Sequence, residues 1–136
     1  MSVQSIVDTI LMFYPNVEAI YLFGSYGTEF YKPDSDADIA LLLPWDAELV
    51  KKTLAFSPCW TALAKLLSCE IDLINLRATN TVFQNEIINT GRVIFESNED
   101  KRLAFEMLVL SMYQKLSEER SEILESFFET KRAYQV

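Results

Sequence analysis

The stretch from Gly24 to Leu43, GSYGTEFYKPDSDADIALLL, sets a Gly-Ser pair ten residues ahead of two aspartates spaced Asp36-x-Asp38. Side chains two apart on an extended strand point to the same face, so Asp36 and Asp38 project together. Ile39-Ala-Leu-Leu-Leu43 follows directly and is apolar on both faces, as in a buried central strand. Two carboxylates therefore stand at the start of a core strand. Like charges ~4 Å apart at an effective dielectric of ~20 repel by roughly 4 kcal/mol, so either one carboxylate stays protonated or a cation is bound. Oxygen donors in a chain without histidine favour a hard ion, Mg²⁺ or Mn²⁺, over zinc.

Upstream, Tyr21-Leu-Phe23 ends a strand, and Gly24-Ser25-Tyr26-Gly27 reads as a tight turn into a short helix. Glycine lets the backbone approach a ligand closely, Ser25 offers a cap or a hydroxyl, and free N–H groups at a helix start suit a phosphate. One end of the stretch is equipped for phosphate and the other for metal.

The pattern of Gly24, Ser25, Asp36 and Asp38 resembles the signature of the polymerase-beta nucleotidyltransferase superfamily, and the short chain is similar to its minimal branch, the MNT antitoxins paired with HEPN toxins. The resemblance implies an α/β (α+β) fold, a polymerase-beta-like minimal nucleotidyltransferase domain with a mixed sheet flanked by helices and a long C-terminal helix. It implies two Mg²⁺ ions on Asp36, Asp38 and a third carboxylate, ATP as substrate, and nucleotide binding by Gly24, Ser25 and Tyr26. Asp72 matches the third position, and Glu70 is the alternative. Many relatives carry an arginine shortly after the Gly-Ser pair, where this chain has Thr28. The implied partner is a HEPN-family RNase whose tyrosine accepts AMP. Neutralisation by binding alone and transfer to a small-molecule hydroxyl are the alternatives.

With 136 residues, half of them hydrophobic, the chain is expected to form one domain over 1–136. Its formal net charge is −8, and residues 1–50 hold only Lys32 against eight acids. Such a surface repels a polyanion, so direct nucleic-acid binding is not expected. Cys59 and Cys69 lack metal-binding spacing and read as reduced core residues. No run approaches the ~20 apolar residues of a membrane span, and a cytoplasmic protein is expected.

The remaining pattern supplies the frame. Val3 to Phe13 has helical apolar spacing ended by Tyr14-Pro15, and Val17 to Phe23 is a strand. Asp46 and Glu48 suit the first turn of a helix running toward Phe56, and Trp60 to Leu67 shows a core-facing helical repeat. Cys69 to Leu76 reads as a strand with Glu70 and Asp72 on one face; an ion pair between Asp72 and Arg77 is the purely structural alternative. Asn80 to Asn89 predicts a helix capped by Thr79 or Thr81, and Arg92 to Glu96 a strand.

From Ser97 or Asn98 a helix free of proline and glycine continues to about Thr130, within a segment 97–136 suited to partner docking. Its first half, Leu103 to Leu116, is apolar nearly all round and is expected to be buried. In its second half Ile123, Leu124, Phe127 and Phe128 form a stripe that either docks a partner or folds back on the core. Asp34-x-Asp36-x-Asp38 also imitates an EF-hand start, but Ile39 stands where that loop needs glycine and Trp45 where it needs glutamate.

Overall fold

Helix α1, Val3–Phe13, turns Ile6, Val7 and Ile10 inward at helical spacing and stops at the Tyr14-Pro15 step. The structure, a computed structural model, describes residues 3–24, 37–46, 48 and 53–134, the side chains from 130 onward excepted. Strand β1, Ala19–Phe23, pairs antiparallel with β2, Ala37–Leu42, and on its other side with β4, Arg92–Glu96. β3, Ile71–Asn75, runs parallel to β2, giving a mixed sheet of order β3-β2-β1-β4.

A parallel neighbour requires a crossover rather than a hairpin. Here the crossover contains helix α2, Pro58–Leu67, which begins on a Ser57 cap with proline at its start and ends at Ser68 in the left-handed region, φ 53°. Each end carries the residue type suited to its backbone job, a hydroxyl acceptor at the start and a short polar side chain at the strained exit.

Alternation along the strands divides the core in two. Ile20, Leu22, Ile39, Leu41, Ile71 and Leu73 face α1 and α2, whereas Ala19, Tyr21, Ala40, Leu42 and Leu76 face the helices that follow β3. Those helices are α3, Thr81–Thr90, and α4, Glu99–Tyr134, with a short 3₁₀ turn at Leu76–Ala78 before them. Among the described residues no helix is long and apolar enough to cross a membrane.

Buried polar groups pin the layers together. The Arg77 guanidinium meets Glu18 at 2.9 Å, donates from Nε to the Leu43 carbonyl at 2.6 Å and lies 5.2 Å from the centre of the Phe105 ring. The Tyr21 hydroxyl donates to Glu106 at 2.7 Å, and Arg102 joins Glu106 to Glu96. Burial first, and then the Glu106 carboxylate, push the Tyr21 phenol well above its ordinary range. Burial pushes the Cys59 thiol up to about 11, as befits an inert core cysteine.

Four expectations need correction. The helix drawn toward Phe56 does not include residues 53–56, which form a loop and turn; residues 47 and 49–52 lie outside the described residues. β3 is shorter than Cys69–Leu76, because Leu76 enters the 3₁₀ turn and Glu70 precedes the strand. α3 is capped by Asn80, whose side chain accepts from Phe83 N at 2.8 Å, because that side-chain oxygen, rather than a neighbouring threonine's, reaches the free N–H.

The fourth concerns α4. Its first half is not buried: Phe105 and Val109 are, but Leu103, Met107, Leu108, Leu110 and Met112 are exposed. One sheet face and one short helix can cover only one side of a cylinder. The Ile123, Leu124, Phe127 and Phe128 stripe is also exposed, so it does not fold back on this chain's core.

Arg77→Leu should lower stability in urea unfolding by about 3 kcal/mol, because it strands a buried carboxylate. Adding Glu18→Leu should restore a large part of that loss. A double variant as unstable as the sum of its singles would show that the pair is not a coupled unit.

Candidate functional site

The end of β1 and the starts of β2 and β3 meet at one end of the sheet. Phe23 lies opposite Asp38 in the antiparallel register, and Asp38 lies beside Asp72 in the parallel one. The carboxylates share parity with Ala40 and Ile74, so they stand on the α3/α4 side of the sheet, with Asp38 half-buried and Asp72 exposed.

Gly24 completes the corner. Its φ is +73°, and a Cβ built on it would fall 2.1 Å from Oδ2 of Asp38. A side chain is excluded there on two independent grounds, backbone hand and space. The backbone of the turn therefore rests directly against the Asp38 carboxylate.

Of the residues expected at the site, the structure brings Gly24, Asp38 and Asp72 together, while Ser25, Tyr26, Asp36 and Thr28 lie outside the described residues. Glu70 is not the residue beside Asp38. It sits just before β3, where its carbonyl accepts from Ala37 N at 2.9 Å and its side chain is exposed. The Asp72–Arg77 pair does not form, because Arg77 is engaged by Glu18. Nor does an EF-hand loop, since residues 37–42 are the buried strand β2.

Two carboxylates at paired positions of neighbouring strands, ~4.8 Å apart backbone to backbone, repel each other, the less so because Asp72 is exposed to water. The donor set is all oxygen, and the chain has no histidine. These residues fit a hard dication such as Mg²⁺ or Mn²⁺. Among the described residues no three potential ligands converge, and Asp36, the nearest further carboxylate in sequence, lies outside them.

Pattern reading missed the neighbourhood of β3. It assigned Trp60 wholly to the core and gave Phe56 no role. Trp60 is only partly buried, its indole N–H donates to the Ile71 carbonyl at 2.6 Å, and the exposed Phe56 ring leans on it at 4.8 Å. A helical repeat reports which residues are apolar and carries no signal for an aromatic pair at its first turn.

Residues 6–100 match the family model described as polymerase beta, nucleotidyltransferase. The chain is 33% identical over 111 residues to protein adenylyltransferase MntA of Shewanella oneidensis, a match spanning 82% of this chain and 76% of that protein. Among solved structures it is similar to a chain of a toxin–antitoxin with AMP-PNP, with TM-score 0.73, 29% identity and coverage of 93% of this chain and 99% of that one. It is also similar to a chain of the tri-AMPylated Shewanella oneidensis HEPN toxin in complex with MNT antitoxin, with TM-score 0.69, 29% identity and coverage of 92% and 94%.

Gly24→Ala should destabilise the fold by about 1–3 kcal/mol, through backbone strain and the clash with Asp38. In an Asp38→Ala background the cost should fall toward the backbone part alone, about 1–2 kcal/mol. Chemical denaturation of the four proteins in the cycle checks this, and an unchanged cost would remove the contact between Gly24 and Asp38.

Proposed function

The chain belongs to the polymerase-beta nucleotidyltransferase family, and from that premise we propose that it is an antitoxin that silences a HEPN-family RNase by moving AMP from ATP to a toxin tyrosine. The observation that carries the reading is Asp72 beside Asp38 at a strand end where only glycine fits. The identity to a protein adenylyltransferase and the likeness to antitoxins solved with AMP-PNP or an AMPylated toxin supply the donor and the acceptor class.

In this reading Gly24, Ser25 and Tyr26 grip the nucleotide phosphates, with backbone N–H groups carrying the load because Thr28 replaces a possible arginine. Asp36, Asp38 and Asp72 would hold Mg²⁺, two ions by the family resemblance. The ions, when bound, supply charge neutralisation for the carboxylates and the phosphates. Asp72 takes the proton of the acceptor hydroxyl as its oxygen bonds to the α-phosphorus. The bond from that phosphorus to the bridging oxygen breaks, and pyrophosphate leaves.

Tyrosine suits this site because its phenol, with an ordinary pKa near 10, gives up its proton more readily than an aliphatic alcohol. The charge of −8 disfavours a polyanionic acceptor, and the cytoplasm supplies the ATP. Segment 97–136 serves as the docking element, supported by the exposed Leu103, Met107, Leu108, Ile123, Leu124 and Phe127.

Incubating the toxin with ATP and Mg²⁺ should add whole AMP steps to its intact mass, and Asp36→Asn with Asp38→Asn, or Asp72→Asn alone, should abolish them. Toxin neutralised without any mass change would replace transfer by binding. A chain ending after Arg120 should keep its melting temperature and bind the toxin at least about tenfold more weakly, since several apolar anchors are lost. Equal affinity in calorimetry would remove the second half of α4 from the interface.

A further inference from the structure

Helix α4 outruns the body it packs on. At about 3.6 residues per turn, the side that carries Phe105 and Val109, both buried in this chain's own core, comes round again at Leu116, Arg120, Ile123 and Phe127, with Leu124 and Phe128 beside them. Ile123, Leu124, Phe127 and Phe128 are exposed, so the same apolar side continues past the part that the core covers. Glu118, Glu122, Glu125 and Glu129 recur at spacings of four, three and four and occupy the opposite side. The second half of α4 thus has an apolar face and an acidic back.

Arg120 breaks this pattern. It is the sole base between Ser117 and Glu129, against five glutamates, yet it stands in the apolar row and not in the acidic one. Its neighbours at three and four residues, Leu116, Ser117, Ile123 and Leu124, carry no charge, so the helical ion pairs that ordinarily absorb a surface arginine are closed to it. Among the described residues it is exposed and enters no ion pair. Anything that covers Ile123 and Phe127 also covers this guanidinium, and a covered arginine requires a counter-charge.

We infer that the second half of α4 lies along an apolar seam of the toxin that is interrupted by one carboxylate, and that this carboxylate receives the guanidinium of Arg120. The inference rests on the reading of the chain as an antitoxin that docks a toxin. Charge selects the occupant. A second copy of the chain packed in parallel would set the two Arg120 side chains against each other. Packed antiparallel, with Leu116 opposite Phe127, it would set each Arg120 on an isoleucine, and in both arrangements the glutamate row faces away. An anionic lipid surface or a nucleic acid would be repelled by the five glutamates. A partner protein that supplies an acid within an apolar seam satisfies every group, because the planar guanidinium binds a carboxylate through two parallel hydrogen bonds. A single polar position in such a seam fixes register and partner choice at some cost in affinity. Arg120 is thereby a specificity residue of the interface and takes no part in the transfer itself.

Arg120→Leu in the full chain is the decisive variant, because leucine matches arginine in helix propensity and completes the apolar row. The free variant should melt at the parent's temperature. Its calorimetric Kd for whole toxin should rise about thirtyfold or more, the loss expected when a buried charge is left without its partner, while kcat at saturating toxin stays that of the parent. Arg120→Lys should lose less and Arg120→Glu more, and a toxin with one of its surface acids changed to lysine should recover the binding of Arg120→Glu. Leucine binding as tightly as arginine, or more tightly, overturns the assignment, as does the failure of every such acid-to-lysine change to restore Arg120→Glu. A lower melting temperature of free Arg120→Leu would give Arg120 a role within its own chain and overturn it too. So would a dimeric free parent that Phe127→Glu renders monomeric, since the occupant would then be a second copy. If the parent binds toxin but adds no AMP, the transfer reading fails alone; if it binds no toxin, the docking reading and this inference fall together.

Discussion

Parallel hydrogen bonding between β2 and β3 holds two carboxylates side by side, and the rest of the fold is arranged so that they cannot move apart. Ile39, Ala40, Leu41 and Leu42 are completely buried, so β2 cannot slide without exposing a core face. A one-residue slip of β3 would turn Asp72 to the α1/α2 side and bring Leu73 into its place. The crossover fixes that register. Ser57 starts α2, Ser68 ends it with a left-handed residue, and the Glu70 carbonyl binds Ala37 N before the strand begins. Packing therefore holds the Asp38 and Asp72 positions side by side on neighbouring strands.

Where local chemistry decides structure, the sequence is transparent. α1 and β4 fall where apolar spacing and the proline and glycine breaks put them. β2 is internal because a run apolar on both faces has no other stable place. Parity placed Asp72, and not the strand's other apolar positions, on the acidic face, but it could not separate Asp72 from Glu70. Only the register with Asp38 does that, and register is a property of two strands at once. The same limit explains Arg77. Its partner Glu18 lies 59 positions away in the chain, and no periodicity reports such a pairing.

Burial of α4 was misread for a related reason. Hydrophobic residues all round a helix indicate that something covers every face, without indicating which molecule does so. Within this chain the sheet and α3 cover the face that carries Phe105 and Val109. The uncovered faces carry Met107, Leu108, Leu110 and Met112. A helix of 36 residues, about 54 Å long at the standard rise, thus carries more apolar side chains than its own core covers. The solved structures it resembles are complexes of toxin and antitoxin.

An edge strand is ordinarily a liability, since its unpaired groups invite another strand. β3 occupies the edge, and a further strand beside it would close off the approach to Asp72 from that side. Because carbonyls alternate in direction along a strand, Glu70 turns its carbonyl toward β2 while Ile71 turns its own outward, where the Trp60 indole N–H takes it at 2.6 Å. One side chain thus blunts the edge at the start of β3. That side chain also carries Phe56, so the residue protecting the edge against unwanted pairing also holds an aromatic neighbour in place.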